Sequence, residues 1–185
     1  MRAERAVCVF RHFGRPHRTV PSFAMTIDSF WELVADLPPE RAETELKLRL
    51  NRLSPEELVA FDRHFTEQFF RAYDWKLWNA AYIIRGGCSD DSFMDFRYGL
   101  ISRGRKVFES ALQEPDTLAD VVEKGEDLRN QAFASVAQHV YEEKTGNEMP
   151  ERAISHPDQP TGEDWNPDNK ELCAKHLPKL WRKCG

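Results

Sequence analysis

The residues best equipped for chemistry are Arg85, Cys88, Ser89, Asp90, Asp91 and Arg97, gathered in the run Asp74 to Leu112, DWKLWNAAYIIRGGCSDDSFMDFRYGLISRGRKVFESAL. A thiol beside a helix N-terminus can be acidified toward the thiolate that nucleophilic catalysis requires. Asp90 and Asp91, however, set negative charge next to Cys88, and no histidine lies nearby in sequence to act as base. The plainer reading is favoured: Gly86 closes one helix, Gly87 supplies a bend, Ser89 caps the next helix and the two aspartates complement its dipole. The same carboxylates could attract a divalent cation, but an adjacent pair is too few to define a site, and GGCSDD is no calcium loop.

Arg97 is the more telling residue, because a helical wheel sets it inside the arc of Phe93, Phe96, Leu100 and Ile101. A guanidinium there must snorkel outward or meet a partner. Its neighbours three and four positions away, Phe93, Met94, Leu100 and Ile101, include no acid, so a partner has to come from another element; Asp74, Asp91, Glu109 and Glu142 are the candidates. A structural ion pair is favoured over an arginine awaiting an anionic ligand. With Arg85, Arg103 and Arg105, cations at helix ends, Arg97 could also form an anion pocket. His64 and His139 fall near apolar faces and are read as core residues, and the Trp75, Trp78 and Tyr82 stripe is read as core rather than a stacking platform. Cys173, His176 and Cys184 offer only half of a zinc ligand set, and no CxxC pair occurs among Cys8, Cys88, Cys173 and Cys184, so packed or solvated thiols are expected.

Helices must position these groups, since the apolar spacing is helical almost throughout and no stretch alternates long enough to demand a sheet. Thr26 or Asp28 can cap a first helix bearing Phe30, Trp31, Val34 and Leu37, which Pro38 and Pro39 end. A second runs from about Glu40 to Arg52. Ser54, Pro55 and Glu57 make a capping box with proline at the first helical position, predicting a long third helix to about Tyr73 with Leu58, Phe61, Phe65 and Phe69 on one face. Asp74 can cap a fourth helix, Trp75 to Ile84, which is apolar nearly all round and is therefore predicted to be the centre of the bundle. Helices five and six divide at Gly104, and after Gly125 another carries Leu128, Phe133, Val136 and Val140 until Gly146 stops it. Beyond Met149 the texture turns proline-rich and polar, yet Trp165, Leu172, Leu177, Leu180 and Trp181 offer anchors that could pin a tail across the helices.

At 185 residues and 41% hydrophobic content, one domain can bury a core unaided by disulfides or metal. The net charge of −5 is uneven: residues 1–24 hold five arginines against Glu4 alone, while the remainder has 21 basic and 30 acidic residues, a net −9. So acidic a body repels a phosphate backbone, which argues against nucleic-acid binding. The arginine-rich opening lacks the apolar run of a secretory signal, and helical patterning starts only at Met25. Residues 1–24 are therefore read as a disordered arm or an upstream-start extension, and the protein as cytoplasmic with reduced cysteines.

The segments FWELV, LSPEELVAF, DWKLWNAAYII, GGCSDD, FRYGLISRGRKVFE and LPKLW resemble the bacterial domain-of-unknown-function family 4240, common in actinobacteria, from about Met25 to the C-terminus. The resemblance implies a fold context and no reaction. The resulting expectation is an all-α single-domain bundle of six to seven helices around a buried central helix, covering 25–148, with a C-terminal tail (149–185, holding a short helix) packed on its surface. Its expected role is a non-catalytic, regulatory binding module for a protein partner or a small anionic ligand, without cofactor, metal, nucleic acid or membrane. The alternative is a small enzyme using Asp90 or Asp91 and Arg97, with or without Cys88, at the junction of helices four and five.

Overall fold

A computed structural model describes residues 25–123, 126 and 128–185; the expectations for residues 1–24, including Cys8, and for Gly125 fall outside them. The described residues form an all-α bundle without a strand. Helix α1 (Ile27–Val34) is capped by the Thr26 hydroxyl, which accepts from the Ser29 amide at 3.1 Å, and it buries Phe30, Trp31 and Val34. A 3-10 turn (Pro39–Arg41) leads into α2 (Ala42–Leu50). The capping box forms as its residues dictate: the Glu57 amide donates to the Ser54 hydroxyl, and the Ser54 amide donates to the Glu57 carboxylate at 2.7 Å, which starts α3 (Pro55–Arg71).

Helix α3 is enclosed more fully than its one apolar stripe suggests. It packs on α1, on α5 (Asp90–Ser102) and on α7 (Gln131–Thr145), so Asp62, His64, Thr66 and Gln68 are buried beside Leu58, Phe61, Phe65 and Phe69. Helix α4 (Trp75–Arg85) is not at the middle of the body as its composition suggests. One side meets α5, while another is covered by the 3-10 segment Pro115–Asp120 and by the tail. Trp78 is accordingly only half-buried, whereas Leu77, Ala80 and Ala81 are sealed. A helix with so little polar face needs cover on most of its sides, and here the tail supplies part of it.

That tail penetrates the core. After an irregular run it forms α8 (Lys170–His176) and α9 (Pro178–Cys184), a second helix where one was expected, and Cys173, Leu177 and Leu180 are fully buried. Its anchors are specific hydrogen bonds: Asn79 Nδ2 donates to the Trp165 carbonyl at 3.0 Å, and the buried Asp116 carboxylate accepts from the Lys179 and Leu180 amides at the start of α9. Helix α6 (Arg105–Gln113) completes the set. Helix α7 starts at Gln131, capped by Asn130, later than the apolar pattern from Leu128 suggests. Leu128 is buried, but in an approach segment whose carbonyl lies against α5 at Gly99, where an added Cβ would come within 1.5 Å of the Leu128 oxygen. Only glycine permits that contact.

Candidate functional site

The Gly86–Asp91 turn is built as a connector. Gly86 takes the left-handed conformation (φ 71°) that ends α4, and Ser89 caps α5 by accepting from the Ser92 amide. The Cys88 carbonyl accepts from Trp78 Nε1 at 3.0 Å, fixing the turn against a half-buried indole. Arg85, Ser89, Asp90 and Asp91 are exposed, and Cys88 is half-buried. Arg97 lies almost two turns further along α5, roughly 10 Å from Asp90, and it is buried with 3% exposure. The six residues singled out from the sequence thus divide into a solvated turn and one interior cation.

Among the described residues Arg97 has no carboxylate partner, contrary to the ion pair that its position suggests. Its guanidinium carbon sits 3.8 Å from the ring centroid of Phe69, 4.8 Å from Tyr73 and 4.9 Å from Phe93. Nη1 donates to the Phe69 carbonyl at 3.3 Å, and Nε has no partner among the described residues. Of the four candidate acids, Asp74 caps α4 and accepts from Thr161, Glu109 takes a two-pronged pair from Arg71, and Asp91 and Glu142 are exposed. Ring faces therefore offset the charge through their negative quadrupoles. Burial pushes the Arg97 pKa down to about 10, which leaves it protonated at neutral pH.

The remaining candidates are absorbed by packing. His64 bridges Glu67 and the Met25 carbonyl at 3.0 and 2.9 Å, whereas His139 is exposed rather than on the apolar face expected of it. Trp75 stacks on Trp78 and Trp78 on Phe93. The buried Cys173 thiol, its pKa raised chiefly by desolvation, donates to the Pro167 carbonyl, and His176 stacks on Trp165. Arg103 pairs with Glu126, and Arg105 with Asp28 at 2.6 Å.

A cleft that sequence reasoning missed opens between α3 and α7. Its inner part, a cavity of about 180 Å³, has an aromatic side of Phe65, Phe69, Phe70 and Tyr98 and a polar side of Thr66, Ser135 and Gln138, with Ala134 between and Arg152 at the lip. Tyr98 stacks on Phe69 at 4.7 Å and on Phe65 at 5.9 Å, which fixes its ring. Its hydroxyl and the Gln138 amide have no protein hydrogen-bond partner among the described residues. Burial raises the Tyr98 pKa, partly opposed by the charges of Arg97 and Arg152, so the phenol is a hydrogen-bond donor at neutral pH.

At Gln138 and Arg152 the cavity adjoins an open trough of about 510 Å³. Glu142 on α7 and Glu148 and Glu151 on the following segment line it, together with Met149, Pro150 and Ile154. Arg152 holds this segment to α3 through a fork on the buried Asp62 carboxylate, Nη2 to Oδ1 at 2.7 Å and Nε to Oδ2. That hydrogen bond holds the Arg152 guanidinium above its ordinary pKa.

The family described as "Protein of unknown function (DUF4240)" matches residues 25–143. The chain belongs to that family. The DUF4240 match takes in α1 to α6, most of α7 and every wall of the inner cavity except Arg152, but stops before the trough segment and the tail, over which the resemblance in sequence was drawn as well. No curated protein and no solved structure matches the chain. One signal for the cleft was present in the sequence: on the α3 wheel Asp62 sits at the edge of the arc holding Leu58, Phe65 and Phe69, an acid too close to the core to be idle. Arg152, ninety positions away in a proline-rich tail, carries no local signal.

Proposed function

We propose that the protein is a non-catalytic binding module whose site is the α3–α7 cleft, and that it takes a small molecule carrying one ring or an apolar group of similar size. The observation that carries this is the inner cavity, open to solvent, with an aromatic wall and two hydrogen-bonding side chains that have no partner among the described residues. Small-molecule sites combine those traits: apolar walls bind, and a few convergent polar groups orient. At about 180 Å³ the cavity exceeds the roughly 150 Å³ that suffices to hold benzene in an engineered core. A protein partner is less favoured, because the large hydrophobic residues exposed among the described residues, Leu48 and Val121, lie on separate elements and form no patch.

The enzyme reading at the α4–α5 junction lacks a common chamber, since Asp90 and Asp91 face water while Arg97 lies beneath rings. A regulatory role in the cytoplasm, where Cys88, Cys173 and Cys184 would persist as thiols, remains part of the proposal; no described helix is long and apolar enough to cross a membrane. The test is to fill the cavity. Ala134→Phe should abolish binding of phenethyl alcohol while the protein stays folded by circular dichroism; unchanged binding in this variant would refute the site.

A further inference from the structure

We infer that the ligand of this cleft is a cationic one, a small aralkylamine whose ring enters the inner cavity and whose ammonium group stays in the trough; the inference rests on the cleft reading above. Of the two guanidinium groups that act on Tyr98, that of Arg152 is neutralised by Asp62 through their fork, and that of Arg97 is covered by the rings of Phe69, Tyr73 and Phe93 and is not part of the lining. Thr66, Ser135 and Gln138 add neutral dipoles only. The inner cavity therefore has no net preference for an anion, although two arginines stand close to it.

The trough differs. Asp62 and Arg152 neutralise each other through their fork, which leaves Glu142, Glu148 and Glu151 as the lining charges without an ion-pair partner among the described residues. Three like charges around an open concave surface attract cations and repel anions. A carboxylate group reaching into the trough would lie beside these charges, whereas an ammonium group is drawn toward them. The two compartments adjoin at Gln138 and Arg152, so a ring and an ammonium joined by a short flexible stem can occupy both at once. Gln138, which lines both and has no hydrogen-bond partner among the described residues, is placed to accept from the ammonium through its carbonyl oxygen.

Three probes of matched shape separate these claims: phenethylamine, phenethyl alcohol and hydrocinnamate, titrated calorimetrically into the full chain at low and at physiological salt. The amine should bind about tenfold more tightly than the alcohol, with hydrocinnamate weakest, and the advantage should shrink as salt rises. In the triple variant Glu142→Gln, Glu148→Gln, Glu151→Gln the amine should fall to the level of the alcohol, whose own affinity stays unchanged. Equal binding of all three probes to the wild type, or tightest binding of hydrocinnamate, overturns the cationic class while leaving the cleft standing. Absence of saturable binding by every probe, or binding that persists in Ala134→Phe, sinks the cleft reading itself and the inference with it. A capped tripeptide bearing one lysine tests the other source of an amine; binding as tight as phenethylamine would overturn the aralkylamine assignment in favour of a peptide.

Discussion

Arg97 is held by the faces of Phe69, Tyr73 and Phe93 and by one carbonyl, which alters what its removal should do. No carboxylate is stranded by truncation, so the loss consists of packing and cation–π attraction. Arg97→Ala should cost about 2 to 4 kcal/mol by urea unfolding. Arg97→Met, which fills much of the volume and removes the desolvated charge, should recover most of that loss. The pH dependence has a definite sign. The folded pKa is depressed to about 10, so above that pH the unfolded chain binds more protons than the folded one, and the wild type gains stability relative to Arg97→Met. Between about pH 6 and 9 the difference between the two proteins should be flat; a slope there would show that Arg97 is coupled to a neighbouring acid after all. Its burial was legible from the arc of Phe93, Leu100 and Ile101. Its partners were not, because an aromatic residue that cradles a cation has the same sequence signature as one that only fills the core.

At the scale of elements, local chemistry was the readable part. The Ser54–Glu57 box, the Gly86 stop and the Ser89 cap depend on residues three or four apart, and each formed where its side chains demand. What failed were judgements that depend on distant neighbours. Leu128 continues the apolar spacing of α7 but lies before the helix, since its carbonyl is pressed against Gly99 from a different element. Helix α4 is apolar nearly all round because the tail covers one side, a fact set by Asn79, Trp165 and Asp116 far apart in sequence. Trp78→Ala should therefore cost only about 2 kcal/mol, less than a fully buried aromatic, whereas Leu77→Ala, at a sealed position, should cost about 3 kcal/mol. Asp116→Ala removes the acceptor at the start of α9 and should cost about 1 to 2 kcal/mol while making the tail the first segment cut by protease. Undiminished tail protection in that variant would show that apolar burial of Leu177 and Leu180 alone holds it.

For the whole molecule, the bundle class was open to sequence reasoning and the cleft was not. Its walls come from α3, α5, α7 and the segment after α7, and helical periodicity reports which residues face inward, not where two inward faces fail to close. Phe65 and Phe69 read as ordinary core because nothing local distinguishes a ring that lines a cavity from one that fills it. The account therefore stands on where a ligand sits, and amide chemical shifts recorded while phenethyl alcohol is titrated into the full chain test this most directly. The largest changes should cluster at Thr66, Phe69, Tyr98, Ser135 and Gln138. Changes centred instead on the Gly86–Asp91 turn, with the cleft residues unmoved, would contradict the account and restore the junction of α4 and α5 as the site.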